Sequence, residues 1–202
     1  VAEHRLHDPA VVPECTTRQW YAGREHAPHL EQPTHRARLL AAASAVVEAG
    51  QMLGASTVVD LGAGDGGLLS LLGPGLTGWG YDLQPTNVAA ARNRNVDVKL
   101  ADITTDPIVW GEIVVATELL EHLRDPHGLV IQAARHGRAL VCSAPCEETR
   151  ESHYEHHVWA WDQTGFAAMI TNGGWRIVRH GTVSATQIVL AVPERREWGC
   201  VR

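Results

Sequence analysis

Two hydrophobic rhythms divide the chain. From about position 57 onward, short β-branched and aliphatic runs recur, each followed by a turn and a stretch with helical spacing. Continuous apolar runs of this kind read as strands of a parallel sheet buried on both faces. Val58–Leu61, Gly78–Asp82, Val96–Ala101, Glu112–Ala116 and Ala139–Ser143 are the five predicted strands. Helices are predicted at about Gly67–Leu72, over Pro85–Asn93 with Pro85 suited to a first turn, and from Glu118 to about Arg135. A further helix covers residues 162–172 and ends at Asn172-Gly173-Gly174. Trp175–Gly181 and Ala185–Val192 then follow with only Thr182-Val183-Ser184 between them, which predicts an antiparallel hairpin closing the sheet. The pattern gives an α/β fold: a Rossmann-like, doubly wound sheet of seven strands with a terminal antiparallel hairpin.

The first fifty residues follow no such rhythm. Pro9, Pro13, Pro28 and Pro33 interrupt residues 1–32, which read as an irregular arm with a short helix near Arg18–Arg24. His35–Ala49, rich in Ala, Leu and Arg, reads as a helix capped by Thr34 and stopped by Gly50. Residues 1–50 are thus an arm and lead-in helix, and 51–202 the main body, together one compact domain.

Composition narrows the function. The formal charge is −6, which argues against a nonspecific nucleic-acid binder with a basic face. No apolar run is long enough to span a membrane, and no signal peptide opens the sequence, which points to a cytoplasmic protein. The chain begins at Val1 rather than Met, consistent with removal of an initiator or short leader. Cys15, Cys142, Cys146 and Cys200 match no zinc spacing and read as reduced structural thiols. Of the twelve histidines, His4, His7, His26, His29 and His35 fall in the arm, where a scatter of surface polar residues is the simplest account.

The candidate chemistry begins at Thr57–Leu69. An apolar strand runs into Gly62, Gly64 and Gly67, a G-x-G-x-x-G spacing that lets backbone approach a ligand at a helix N-terminus. Asp60 stands two residues before the first glycine, where its charge repels a pyrophosphate and attracts a cation. Asp60-Leu61-Gly62-Ala63-Gly64-Asp65-Gly66 resembles the first motif of class I S-adenosylmethionine (SAM)-dependent methyltransferases, whose architecture also ends in an antiparallel hairpin. The resemblance implies SAM at Asp60, Gly62, Ala63 and Gly64. Asp82, eighteen residues after Gly64, would accept from ribose hydroxyls and Leu83 would cover the adenine. Asp102 would take the adenine amino group and the Ile103 backbone would meet the ring, while Glu118 would face the cofactor.

Beyond the fourth strand, Glu118, Glu121 and His122 stand at i, i+3 and i+4, one face of a helical turn. Two carboxylates and an imidazole make most of a hard-metal site. Downstream lie His153, His156 and His157, then Trp161 and Phe166. Glu-x-x-Glu-His with a late His-x-x-x-Trp-x-x-x-x-Phe is similar to the small-RNA 3′-terminal 2′-O-methyltransferases. That resemblance implies a divalent cation, Mn²⁺ or Mg²⁺, on Glu118, Glu121, His122 and His157. Ala160 and Cys146 depart from that family's Glu and Asn. The ubiquinone-pathway O-methyltransferases share the Glu-x-x-Glu-His run and act on phenolic hydroxyls. The expected acceptor is therefore a hydroxyl on a small metabolite or an RNA 3′ end. Without metal, His122 or His157 would be the catalytic base, and His153 or His156 offer substitute ligands. Two other readings stand beside these: a non-catalytic SAM-binding or interaction protein that kept the fold, and a nicotinamide dehydrogenase with a Rossmann site. In the arm, Trp20 and Tyr21 either stack on substrate or staple the arm to the domain.

Overall fold

The computed structural model describes residues 2–8, 11 and 13–194. Cys200 lies outside the described residues, while Cys15, Cys142 and Cys146 are free thiols. Among the described residues nine strands form: β1 (Glu3–Arg5), β2 (Thr57–Leu61), β3 (Thr77–Asp82), β4 (Val98–Leu100), β5 (Ile113–Thr117), β6 (Ala139–Pro145), β7 (Trp159–Trp161), β8 (Trp175–Val183) and β9 (Thr186–Pro193). Seven of them make one sheet in the order β4-β3-β2-β5-β6-β9-β8. Strands β2 to β6 run parallel, and β9 inserts antiparallel between β6 and β8.

The apolar runs are continuous because both faces are covered. Val58, Ile113, Val115 and Val141 point to one side, against α2 (Pro33–Leu53) and α3 (Pro85–Asn93). Val59, Val114, Ala116, Leu140 and Cys142 point to the other, against α4 (Pro126–His136) and α5 (Gln163–Asn172). The period-2 alternation of a strand thus splits each run between two cores.

Several local expectations are corrected. Gln32, not Thr34, is the cap of α2, with Pro33 in its first turn. Gly50 does not stop it. The helix runs to Leu53 and ends where Gly54 adopts left-handed φ of 61°. Gly50 is instead a packing position: a Cβ there would sit 3.1 Å from the Leu76 side chain. The Gly67–Leu72 helix shrinks to a 3₁₀ turn at Leu69–Leu71. The strand expected over Val96–Ala101 is only Val98–Leu100. The helical stretches expected from Glu118 begin two residues later, because Glu118 itself is left-handed at φ 49°. A 3₁₀ turn at Leu120–His122 follows, and α4 starts only at Pro126, capped by Asp125.

The arm is also more ordered than its prolines suggest. A 3₁₀ turn at Glu14–Thr16 leads into α1 (Arg18–Ala22), the short helix expected, capped by Thr17. Strand β1 pairs antiparallel with β7, Glu3 opposite Trp161 and Arg5 opposite Trp159. This second sheet holds the segment before α5 against the body. Trp161 is fully buried and packs on Phe166 at 5.7 Å and parallel to Trp159 at 6.0 Å. Replacing Trp161 with Ala should cost about 3–5 kcal/mol, read as a fall in the urea midpoint at unchanged m-value. A loss under about 1 kcal/mol would mean that this seam contributes little to the global fold.

Candidate functional site

The loop after β2 carries left-handed residues at Gly62 (φ 70°), Gly64 (φ 57°) and Gly66 (φ 73°). The spacing had singled out Gly67 as the third glycine, but the residue needing left-handed freedom is Gly66. The loop is tied to the neighbouring strand: the amides of Gly62 and Ala63 both donate to the Tyr81 carbonyl at 2.9 Å. Gly64 N–H donates to Asp82 Oδ2 at 2.8 Å, and Gln84 N–H donates to Asp82 Oδ1 at 2.8 Å. Burial still raises the Asp82 carboxyl above its ordinary value despite those donors.

Beneath the loop lies a set of buried charges. Asp60 is 2 % exposed and its Oδ1 has no partner. Burial, with the Asp82 charge adding and Arg38 opposing, pushes Asp60 up to about 8. Arg38 comes from α2 and is itself buried. Its Nη1 pairs with Glu118 Oε2 at 2.8 Å and its Nη2 meets His35 Nδ1 at 3.2 Å. Glu118 Oε1 also accepts from Ser143 Oγ at 3.0 Å. Sequence reasoning missed Arg38. The available signal was a charge on the same helical face as Leu39, Ala42, Ala45 and Val46.

Leu83, Ile103 and Asp102 line the same cavity. Asp102 Oδ1 accepts from Thr104 N–H at 2.9 Å and Thr104 Oγ1 at 2.6 Å, and Arg18 Nε approaches Oδ2 at 4.0 Å. The cavity, about 1110 Å³, continues from these residues to Glu121, His122 and His157. One ligand atom from each of those three lies within 4.8 Å of the others. Glu118, turned to Arg38, stands outside that group. Glu121 is fully buried with neither carboxylate oxygen partnered, and burial pushes it up to about 8. His122 Nδ1 lies 3.2 Å from the His156 carbonyl. Burial, then the neighbouring His157, push its ring down to about 3. The His122 and His157 rings meet edge-on at 4.7 Å. His157 Nδ1 lies 2.6 Å from Glu148 Oε2, a contact no sequence spacing announced. His153 and His156 are outside the group: His153 Nδ1 faces the Thr149 carbonyl, and the His156 ring packs on Trp20 and Tyr154.

The arm closes one side. Arg18 pairs with Asp106, the Gln84 side-chain Nε2 donates to the Glu25 carbonyl at 2.6 Å, and Thr86 Oγ1 donates to the Arg24 carbonyl at 3.0 Å. His26 and His29 reach buried Asp65 at 3.3 and 3.4 Å, and Arg94 bridges Asp65 and Glu31. Burial alone would raise Asp65, but the two histidines and Arg94 hold it well below the usual carboxylate range. Trp20 and Tyr21 line the cavity, with the Arg24 guanidinium 4.1 Å over the Trp20 ring.

A family model described as a methyltransferase domain, Methyltransf_23, matches residues 26–179. A search of curated proteins finds no match. Among solved structures, the fold is similar to magnesium protoporphyrin IX methyltransferase from Synechocystis PCC 6803 with bound SAM. The TM-score there is 0.64 and the identity 16%, covering 86% of this chain and 88% of that one. It is also similar to the N-terminal domain of EvdMO1 with S-adenosylhomocysteine (SAH) bound, at TM-score 0.57 and 21% identity over 78% and 81%. A third is NcsB1, an O-methyltransferase from neocarzinostatin biosynthesis solved with SAM and 2-hydroxy-5-methyl naphthoic acid. Its TM-score is 0.61 and its identity 18%, over 79% of this chain and 55% of that one.

The lone oxygen of Asp60 has a measurable signature. Unfolded, this carboxyl ionises near 3.8, whereas the folded chain holds the proton to about 8. Between those values the folded state binds more protons, so stability falls as pH rises. Asp60→Asn removes the proton release. The ligand-free variant should therefore gain on the wild type by up to about 1.4 kcal/mol per pH unit between about pH 4 and pH 8. Urea titrations across that range test it, and parallel curves would contradict a protonated Asp60.

Proposed function

The chain belongs to the Methyltransf_23 family of methyltransferase domains and is a SAM-dependent methyltransferase. From that premise we propose that it methylates a hydroxyl oxygen of a small-molecule acceptor, assisted by a divalent cation on Glu121, His122 and His157. The observation that carries the reading is Glu121. A carboxyl with both oxygens buried and unpartnered, beside two imidazoles, is a costly arrangement in an empty site and a favourable one around a cation. The residues fit the group chemically: both His122 and His157 have Nδ1 engaged elsewhere, which leaves Nε2 as the available nitrogen. Two imidazoles favour Mn²⁺ over Mg²⁺. A cation so placed lowers the pKa of a hydroxyl and orients it.

SAM supplies a methyl group on a sulfonium centre. Gly62, Ala63 and Gly64 allow close backbone approach, Asp60 can give up its proton to face the cationic end, and Asp82 has oxygen lone pairs for ribose hydroxyls. Leu83, Asp102 and Ile103 would flank the adenine. Glu118, held by Arg38 and Ser143, adds a charge at the junction of the two halves of the cavity. The acceptor side supports a small anion. Arg24 lies on that wall, its charge is felt by His122, and among the described residues no carboxylate pairs with it. The net charge of −6 favours such a metabolite over an RNA end. A metal-free reading has one observation of its own: the His157–Glu148 contact suits His157 to act as general base.

Calorimetry on metal-stripped protein tests the proposal. Wild type should bind SAH, and should bind one Mn²⁺ that Glu121→Ala loses while SAH binding persists. SAH binding without any Mn²⁺ site would leave the His157 base in its place. In a screen of hydroxylated acids against their neutral amides, turnover should follow the acids, and Arg24→Gln should lower kcat/KM for them about 10-fold or more. Equal use of acids and amides, or preference for an RNA 3′ end, would count against a small anionic acceptor.

A further inference from the structure

Glu148 sits in the connection between β6 and β7, nine residues before His157. Its side chain is only 16% exposed and that of His157 only 10%. One carboxylate oxygen, Oε2, faces His157 Nδ1 at 2.6 Å, and the other, Oε1, accepts from the Tyr154 amide at 2.9 Å. The His157 amide in turn donates to the Tyr154 carbonyl at 2.9 Å, and the Tyr154 ring packs edge-on against His157 at 5.2 Å. The loop is thus folded back on itself so that one ring is gripped from three directions. An exposed ion pair would be worth little. A short, largely desolvated contact to one ring nitrogen is different, because it decides which nitrogen keeps the proton.

We propose that Glu148 is a positioning residue that holds the proton of His157 on Nδ1 and so presents the Nε2 lone pair to the cavity. The assignment rests on reading His157 as a working residue, and it serves that residue whether Nε2 meets a cation or a substrate hydroxyl. His122 reaches the same state by a different route, with its Nδ1 facing the His156 carbonyl at 3.2 Å. A backbone carbonyl fixes one imidazole and a carboxylate the other. Glu148 also differs in kind from Glu121: its oxygens are both occupied within the chain, so it orients a neighbour rather than reaching for a ligand.

The experiment reads the tautomer directly, on protein without metal. Long-range ¹H–¹⁵N correlation spectra of ¹⁵N-histidine-labelled protein, taken at about pH 8 where an ordinary imidazole is neutral, distinguish Nδ1–H from Nε2–H rings. Wild type should show His157 as the Nδ1–H form. Glu148→Gln keeps a carbonyl acceptor and should keep that form, whereas Glu148→Ala should give a mixture. Mn²⁺ binding should weaken about 10- to 100-fold in Glu148→Ala and recover largely in Glu148→Gln. SAH affinity, which a general loss of fold would reduce, should stay level in both. An Nε2–H ring in the wild type, or an unchanged Nδ1–H ring in folded Glu148→Ala, overturns the proposal. If Glu148→Ala fails to fold, the wild-type and Glu148→Gln spectra decide. Absence of Mn²⁺ binding with an Nδ1–H ring would strike the metal reading alone and leave the role of Glu148 standing.

Discussion

A carboxylate taken out of water must find a cation or give up its charge, and the cavity of this protein is arranged around that constraint. Asp60, Asp82 and Glu121 are all buried, and Arg38 is the guanidinium placed among them. One cation cannot neutralise three acids, and its strongest contact goes to a fourth, Glu118. The remaining oxygens of Asp60 and Glu121 are left without partners. Without ligands both hold their protons up to about 8; Glu121 lines the cavity, and Asp60 lies at the end of β2 just before the glycine loop that borders it. Under the proposed function a methyl donor with a positive centre would relieve Asp60, and a divalent ion Glu121. Arg38 between them keeps either acid from depending wholly on its ligand.

The layered architecture was legible because burial on both faces writes itself into sequence. Val58–Leu61 and Ala139–Ser143 could only be inner strands, and the β8–β9 pair betrayed itself by the shortness of its link. Helix limits were less legible. Gly50 looked like a stop because glycine ends many helices, yet the helix runs on to Leu53 and a Cβ at Gly50 would crowd Leu76 and the Ala55 carbonyl. The signals for helix start and stop are local, whereas the reason for Gly50 is tertiary.

The site divides in the same way. Residues at the ends of consecutive strands could be placed because the topology of an open α/β sheet puts strand ends together. The Glu118–His122 group failed as a helical face because Glu118 takes a left-handed conformation, held by Ser143 and Arg38. Glu121, His122 and His157 still converge, but through a 3₁₀ turn and a long connection. Glu148 had no spacing rule to reveal it. Nor did Asp65, whose partners His26, His29 and Arg94 come from separate segments. The arm histidines, read as surface scatter, include two that fasten the arm to the glycine loop.

The pairing of β1 with β7 joins the arm to the segment before α5: the Ala2 amide donates to Asp162, 160 residues away. The Leu6 amide donates to the Val158 carbonyl, and the Val158 amide donates to the Glu121 carbonyl, so this seam borders the histidine pair. During synthesis β1 is made before every strand of the main sheet, and its partner β7 only after β6. β1 must therefore wait for its partner until the five parallel strands β2 to β6 have been made. Loop closure over such a span is slow compared with the local βα contacts. The glycine loop is tied to β3 by contacts local in sequence, whereas the histidine pair is bordered by a seam that spans most of the described chain.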